Sequence, residues 1–190
     1  MGKSLAEMTL TELWQLFPIE IKPYSAAYPA QYERESSRIL SLIGDFTVRL
    51  SHIGSTAVAG LYSKPIVDIL AEIRPDARPD TVKKMLEREW VCMNLQMTPL
   101  RISFNKGYTE RGYDKEVFHL HVVNYGSCDE LYFRDYLIDN PDVAAQYAAL
   151  KKSLLRFRFD RDGYTRAKTD FVLDCVKKAK RDYGDRYKPL

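Results

Sequence analysis

The chain has 190 residues, of which 45% are hydrophobic and 12% aromatic, and this composition excludes an intrinsically disordered chain. The length predicts one domain over residues 1–190. The formal net charge of +3 is too small to indicate nucleic acid as a partner, and no apolar run is long enough to predict a membrane partner.

Three cysteines, Cys92, Cys128 and Cys175, are widely separated and include no Cys-x-x-Cys pair. This pattern predicts free thiols rather than a disulfide framework or a zinc site, and it favours a cytoplasmic location. The N-terminal stretch carries Glu7 and Glu12 and lacks the continuous apolar core of a signal peptide.

Residues 1–18 predict an N-terminal helical appendage to the domain. Apolar side chains recur with helical spacing over 9–17, Thr9 or Thr11 can cap this helix, and Pro18 ends it. The helix either docks on its own domain or serves as an interaction helix.

Residues 19–126 predict an α/β core. The expected helices cover 28–43 and 80–90, and the expected strands cover 46–53, 66–73, 91–97, 100–106 and 117–123. Residues 106–115 are polar and contain glycine, so we expect a loop there.

Residues 127–190 predict three C-terminal helices. Ser127 with Glu130 three residues later matches a capping box, which would open a helix over 128–139. Asn140 and Pro141 would open the next helix, to about residue 157, and the last would cover 164–183.

A polar turn, Gly54-Ser55-Thr56, directly follows a predicted strand. Glycine lets the backbone approach a ligand closely, and a hydroxyl with amides at a helix start suits a phosphate. The alternative is a tight turn that needs a cap. Lys64, which precedes Pro65, either contacts phosphate in the same cleft or lies at the surface.

Asp68 lies in a strand otherwise made of valine, isoleucine and leucine. An unpaired carboxylate is costly to bury, so Asp68 should point into a cleft. In the same way, His119 and His121 are two residues apart on a strand and therefore face one way, while Phe118 and Leu120 face the core.

The string HIGSTAVAGL at residues 52–61, followed by KPIVDI at residues 64–69, resembles the GrpB family. This is a set of small bacterial proteins with a nucleotidyltransferase fold and no settled activity. The shorter pattern of Gly54, Ser55 and Asp68 is similar to the signature of the nucleotidyltransferase superfamily. The resemblance covers roughly residues 19–180 and implies an α+β, nucleotidyltransferase-like mixed β-sheet flanked by helices, with a helical C-terminal third.

The resemblance implies that His119 or His121 lies next to Asp68 and completes a catalytic site. Two imidazoles and a carboxylate form a ligand set that Zn²⁺, Mn²⁺ or Fe²⁺ favours over Mg²⁺. Two alternatives remain open at this point. The histidines form a hydrogen-bonded cluster with Asp68 without metal, or a protonated imidazole binds phosphate.

The resemblance also places the C-terminal helices on the far wall of the cleft. Tyr147 with Lys151, and Tyr164 with Lys168, are i, i+4 pairs on one helix face, and there lysine would neutralise phosphate while tyrosine would stack on a base. Arg134 would join them or form a buried salt bridge with Asp68. The alternative for both pairs is a solvated face with half-buried tyrosines.

The function implied is transfer of a nucleotidyl group from a nucleoside triphosphate to an unknown acceptor, with Mg²⁺ or Mn²⁺ as the expected ion and Zn²⁺ as another candidate. Leu70 stands where the superfamily carries a second carboxylate. This departure favours an alternative, a non-catalytic nucleotide-binding or regulatory module, and a metal-dependent phosphohydrolase is a further one. An oligomer is compatible with the sequence.

Overall fold

A mixed five-stranded sheet forms the centre of the computed structural model, which describes residues 3–188. The strands are β1 (Thr47–Ile53), β2 (Val67–Ile73), β3 (Val91–Met97), β4 (Leu100–Thr109) and β5 (Gly112–Asn124), in the order β1-β2-β5-β4-β3. The helices are α1 (Leu10–Leu16), α2 (Tyr28–Ile43), α3 (Pro79–Leu86), α4 (Asp129–Asp139), α5 (Pro141–Ser153) and α6 (Arg161–Tyr183). The predicted α+β class, with a mixed sheet and a helical C-terminal third, is confirmed.

The central strands β2 and β5 run parallel, and the other neighbouring strands are antiparallel. The β2–β5 register pairs Asp68 with His119 and Leu70 with His121. Strand β1 brings Ile53 opposite Asp68. The strand pairing therefore places the carboxylate and the two imidazoles on adjacent strands at the centre of the sheet.

One face of the sheet is apolar and packs against α2 and α3. It includes Ile69 and Ala71 of β2 with Leu120 and Val122 of β5, all essentially without solvent contact. This burial follows from the alternation of side chains along a strand, and it confirms the core positions expected in β5. The opposite face carries Asp68, His119 and His121 and meets the C-terminal helices.

The loop predicted for residues 106–115 is wrong. Strand β4 continues to Thr109 and β5 begins at Gly112, so this segment is a β-hairpin in which Tyr108 pairs with Tyr113. The register of the hairpin shifts at Gly107. Only glycine fits there, because a Cβ at this position would lie 2.3 Å from the Glu116 carbonyl oxygen. Such a bulge requires glycine where two backbones approach closely.

The two predicted N-terminal caps have different outcomes. Thr9 caps α1: its hydroxyl accepts a hydrogen bond from the Glu12 amide at 3.2 Å, and the Glu12 carboxylate accepts one from the Thr9 amide at 2.8 Å. The cap predicted at Ser127 is wrong, because Cys128 precedes α4 and makes no side-chain capping bond. The Glu130 carboxylate instead forms an ion pair with Arg101 at 2.7 Å.

Two helix boundaries also differ from the sequence expectation. Helix α3 ends at Leu86 rather than near residue 90, where Trp90 is already buried against Phe118. Helix α6 begins at Arg161 rather than at Tyr164, because the Asp160 carboxylate accepts a hydrogen bond from the Gly163 amide at 2.8 Å and caps the first turn.

All three cysteines are free thiols, as predicted. Among residues 3–188, no helix is both long enough and apolar enough to cross a membrane.

Candidate functional site

A cavity of about 500 Å³ lies between the polar face of the sheet and helices α4, α5 and α6. It contains all the site residues expected from the sequence except Arg134. These are Gly54, Ser55, Thr56, Lys64, Asp68, His119, His121, Tyr147, Lys151, Tyr164 and Lys168. Residues from distant parts of the chain therefore converge in one cavity, and their individual roles stay predictions.

The turn after β1 is shaped by the close approach of Gly54 to Asp68. Gly54 has a φ of 70°, and a Cβ at this position would lie 2.5 Å from Asp68 Oδ2. Glycine is required on both counts. The Thr56 hydroxyl donates to the Ile66 carbonyl at 3.2 Å and lies 3.0 Å from His52 Nε2, so it holds the turn in place.

Asp68 is hydrogen-bonded to His119, whose Nδ1 lies 3.0 Å from Asp68 Oδ1. Burial acts to raise the pKa of Asp68, but the hydrogen bond from His119 and the nearby positive charges outweigh it and hold the pKa at about 2. The second ring nitrogen of His119, Nε2, lies 2.7 Å from the Tyr108 hydroxyl. Both imidazole nitrogens are thus engaged within the protein.

His121 lies beside this pair, with Nδ1 at 3.2 Å from the Ser103 hydroxyl. Burial and the nearby Arg101 guanidinium lower the pKa of His121 to about 4, so its imidazole is neutral at pH 7. A neutral ring does not supply the positive charge that phosphate binding by a protonated imidazole requires.

The residues present do not fit a metal centre with Asp68, His119 and His121 as ligands. No group of three or more His, Cys, Asp or Glu side chains within residues 3–188 is arranged to hold a metal ion. His119 has no free nitrogen, and Leu70, at the position of the second carboxylate, is fully buried. A single carboxylate such as Asp68 would hold Mg²⁺ or Mn²⁺ only together with phosphate oxygens and water, and this remains a prediction.

Lys151 is the most deeply buried of the cavity lysines, with a relative exposure of 3%. Its Nζ donates hydrogen bonds to Ser55 Oγ at 2.8 Å and to the Tyr62 carbonyl. Burial, together with repulsion from Lys168 and Lys64, lowers the pKa of Lys151 to about 7.

Lys64 and Lys168 add two further ammonium groups to the same cavity. Burial and repulsion from Lys168 lower the pKa of Lys64 to about 8, and burial lowers the pKa of Lys168. Within residues 3–188 the lysines that form salt bridges are others, so Lys64, Lys151 and Lys168 have no carboxylate partner. The cavity lining also contains Asp129 and Glu130, but these two carboxylates are paired with Lys180 and Arg101. The three lysines and Asp68 therefore leave an excess of basic groups in this region, which attracts an anion.

Within the described residues 3–188, two hydroxyl groups of the cavity lining have no hydrogen-bond partner. The Tyr164 hydroxyl and Ser63 Oγ are buried and unsatisfied, although both residues line the cavity. An unsatisfied buried hydroxyl costs about 1–3 kcal/mol, so such groups point to a ligand that would complete them. The Tyr164 ring also lies near two ammonium groups, 5.8 Å from Lys64 Nζ and 5.4 Å from Lys168 Nζ.

Tyr147 contributes its ring to the wall rather than an ionisable group. The ring centroid lies 4.5 Å from Lys151 Nζ and stacks on Phe171 at 5.3 Å. Burial raises the pKa of Tyr147, so its hydroxyl keeps its proton. Tyr147 is buried rather than half-buried, and it lies in the cavity wall rather than on a solvated face.

Arg134 lies outside the cavity, and its possible salt bridge with Asp68 is absent. Its Nη1 donates to the His52 carbonyl at 3.0 Å, and its Nε donates to Asp135 at 2.8 Å. Arg134 instead links α4 to β1 through its hydrogen bond to the His52 carbonyl. Periodicity alone does not tell which side of α4 faces the cavity, because apolar residues surround this short helix on several sides.

Three groups that shape the site carry no recognisable signal in the sequence. Tyr108 lies in the hairpin expected to be a loop, and Ser63 lies in a short connection with no recognisable pattern. An apolar wall, formed by Phe133, Val172 and Val176, resembles ordinary core in the sequence. Only the packing of α4 and α6 on the sheet brings that wall into the same cavity as the lysines.

The fold and the cavity define a small α+β protein with a lysine-rich pocket beside a parallel pair of strands. The sequence profile described as "GrpB protein" matches residues 18–178, which is most of the chain. The protein belongs to the GrpB family, as the motif at residues 52–69 indicated.

Relatives with known sequences and structures agree with this assignment. The chain is 34% identical over 164 residues to a UPF0157 protein of Pseudomonas aeruginosa, covering 85% of this chain and 67% of that protein. It is 28% identical to the UPF0157 protein YqkA of Bacillus subtilis, covering 93% of this chain but 52% of the longer relative. The crystal structure of the conserved protein GrpB from Enterococcus faecalis matches with a TM-score of 0.72 and 27% identity, covering 86% of this chain and 99% of that one.

Proposed function

We propose that this protein binds a nucleoside triphosphate in the lysine-rich cavity and transfers its nucleotidyl group to an acceptor. The observation that carries the proposal is the convergence of Lys64, Lys151 and Lys168, without carboxylate partners, around two unsatisfied buried hydroxyls. A chain of phosphates offers several negative charges and many acceptor oxygens, so it would neutralise the lysines and complete the hydroxyls together.

The two ends of the cavity suit the two ends of such a ligand. The phosphates would lie against Ser55, Lys151 and the Lys64–Lys168 pair, with the Tyr164 hydroxyl donating to a terminal oxygen. A base would lie on the apolar wall at Phe133 and Val176, since aromatic and aliphatic surfaces favour stacking of flat rings.

Asp68 is the residue we assign to the reaction centre. Its low pKa keeps the carboxylate ionised, and His119 orients it towards the turn at Gly54. A bound Mg²⁺ or Mn²⁺ ion would neutralise charge at the reacting phosphate. Among residues 3–188 we assign no general base for the acceptor, because both nitrogens of His119 are already hydrogen-bonded.

Leu70 favours a second candidate, binding without transfer. Its side chain is fully buried against Leu131 and Val123, at the position where a paired carboxylate would stand. A site with one carboxylate can hold a nucleotide and one ion yet lack the second ion of a two-metal mechanism. The third candidate, an Asp/His metal-dependent phosphohydrolase, gains no support because its ligand set is not assembled.

The test is calorimetric titration of the protein with ATP, GTP, CTP and UTP in the presence of Mg²⁺. Lys151→Met should weaken binding roughly tenfold or more, because it removes a charge-assisted hydrogen bond to phosphate. Lys152→Met is the matched control: Lys152 is the next residue of α5, is exposed, and packs on the Tyr62 ring outside the cavity. This control should leave the affinity unchanged.

A parallel assay for released pyrophosphate separates the two candidates. Pyrophosphate release that depends on Asp68 supports transfer, and binding without release supports the non-catalytic module. If the protein binds none of the four nucleotides, or if Lys151→Met and Lys152→Met weaken binding equally, the cavity is not a nucleotide site.

A further inference from the structure

Tyr108 is joined to the site through His119. Its hydroxyl lies 2.7 Å from His119 Nε2, and the two rings stack with centroids 5.9 Å apart and planes inclined by 13°. On its other side, His119 Nδ1 lies 3.0 Å from Asp68 Oδ1. One continuous line of hydrogen bonds therefore runs from Tyr108 to the carboxylate.

The Tyr108 ring is held in turn by the N-terminal segment and by α6. Phe17, which is buried, packs its ring edge on Tyr108 at 4.9 Å and on Tyr113 at 5.2 Å. The Arg161 guanidinium lies 5.5 Å from the Tyr108 ring centroid, and it donates to the Tyr113 hydroxyl at 2.6 Å and to the Phe17 carbonyl at 3.3 Å. The Phe17 ring and the Arg161 guanidinium are thus the contacts that hold the Tyr108 ring itself.

We propose that Tyr108 is a positioning residue for Asp68 and acts through His119. An ionised carboxylate only accepts hydrogen bonds, so His119 Nδ1 must carry the proton that reaches Asp68. In a neutral imidazole Nε2 is then an acceptor, and Tyr108 is its donor. Tyr108 thereby selects the Nδ1-protonated form of His119 and prevents the ring from turning away from Asp68.

This arrangement gives the N-terminal segment a role in the site. Phe17 contacts Tyr108 directly, so the residues that follow α1 belong to the support of Asp68 rather than to a separate appendage. Any effect of Tyr108 on catalysis rests on the proposed function. Its effect on the orientation of His119 does not, because it requires no ligand.

The test is ¹⁵N and ¹H NMR of histidine-labelled protein at pH 7. The chain has three histidines, and a His119→Gln variant assigns the signals of His119. The wild type should show His119 protonated at Nδ1, with a slowly exchanging Nδ1–H proton. Tyr108→Phe keeps the ring but removes the donor, so the Nδ1–H signal should broaden and exchange at least about tenfold faster, the factor expected for loss of one such hydrogen bond.

Tyr113→Phe is the matched control. The Tyr113 hydroxyl belongs to the same aromatic cluster and bonds to Arg161 and Phe17, but it does not contact His119. This variant should leave the Nδ1–H signal unchanged, which separates positioning from general loosening of the cluster.

Three results would overturn the inference: His119 protonated at Nε2 alone, an unchanged signal in Tyr108→Phe, or equal broadening in Tyr108→Phe and Tyr113→Phe. Nucleotide titration of the same samples keeps the two proposals apart. A protein that shows the expected NMR signature and binds no nucleotide retains Tyr108 as a positioning residue and loses the proposed function.

Discussion

The two faces of the sheet differ in what lies against them. On the face that packs against α2 and α3, Ile69, Phe104 and Leu120 are sealed in an apolar core. On the other face, Lys151 is nearly as well buried, yet within residues 3–188 it has no carboxylate partner, and the Tyr164 hydroxyl has no hydrogen-bond partner. The same strands therefore carry one face that packs a closed core and one face that borders a cavity with buried lysines.

Within residues 3–188, buried polar atoms without a hydrogen-bond partner occur on both sides of the sheet: Ser36 Oγ and Trp90 Nε1 on the side of α2 and the apolar core, and Ser63 Oγ and the Tyr164 hydroxyl at the cavity. What distinguishes the cavity is that its two unsatisfied hydroxyls lie in the same lining as three lysines. The comparison of the two faces also predicts the effects of substitutions. On the apolar face a substitution should lower stability, and on the cavity face it should lower ligand affinity.

The largest expected effect is a loss of stability on the apolar face. Phe104→Ala should lower the free energy of unfolding by about 3–5 kcal/mol, because it leaves a cavity in a close-packed core. Phe133→Ala, on the cavity wall, should cost less because part of the Phe133 ring already faces the cavity. Chemical denaturation of both variants measures the difference.

Equal losses of stability would contradict the comparison, since they would mean that the cavity wall packs as tightly as the core. Titration with nucleotide under conditions where both variants remain folded adds the complementary result. There, Phe133→Ala should weaken binding and Phe104→Ala should not.

The second effect is a pH dependence of stability that originates on the polar face. The pKa of Lys151 falls from an ordinary 10.5 to about 7 in the folded protein, so between these values the unfolded chain binds more protons. The free energy of unfolding should therefore rise as the pH increases from about 7 to 10.5. Below pH 7 the full cost of burying the charged Lys151 ammonium group remains. Lys151→Met should flatten this rise by roughly 3 kcal/mol.

The measurement is urea denaturation of the wild type and Lys151→Met at several pH values. Lys152→Met serves again as the control and should keep the wild-type slope. A wild-type stability that falls between pH 7 and 10, or one that Lys151→Met leaves unaltered, would show that Lys151 is not held in an unfavourable environment for its charge.

The sequence predicted the parts of the site that depend on strand alternation. The apolar run around Asp68 and the alternating run around His119 predicted which side chains share a face, and the β2–β5 register confirms that they are adjacent. The signal is strong because a strand exposes every second residue to the same side. The family motif added the turn at Gly54 in the correct place.

Other parts depend on tertiary contacts that no local pattern encodes. The polar segment around Gly107 predicts a loop, whereas Gly107 lets β4 and β5 approach at a bulge. The same prediction hides Tyr108, which lies in the hairpin. The family resemblance places Arg134 in the cleft, but the packing of α4 turns it towards β1.

The smallest expected effect tests the polar face most directly. Tyr164→Phe removes a hydroxyl that has no hydrogen-bond partner among residues 3–188, so the free energy of unfolding should stay the same or rise by up to about 1 kcal/mol. The affinity for nucleoside triphosphate should nevertheless fall about fivefold, because the hydroxyl gains its partner only from the ligand. Thermal denaturation and calorimetry on the same samples measure both quantities.

The predicted effect is small, but stability and affinity are expected to respond differently: stability is retained or rises, while affinity falls. A hydroxyl that merely supports the fold would lower stability when it is removed, and the loss of affinity would then follow from damage to the cavity. Loss of affinity with stability retained requires that the hydroxyl act on the ligand itself. Unchanged affinity would mean that Tyr164 is unsatisfied for some other reason, and the terminal phosphate would then have to lie nearer to Ser55 and Lys151.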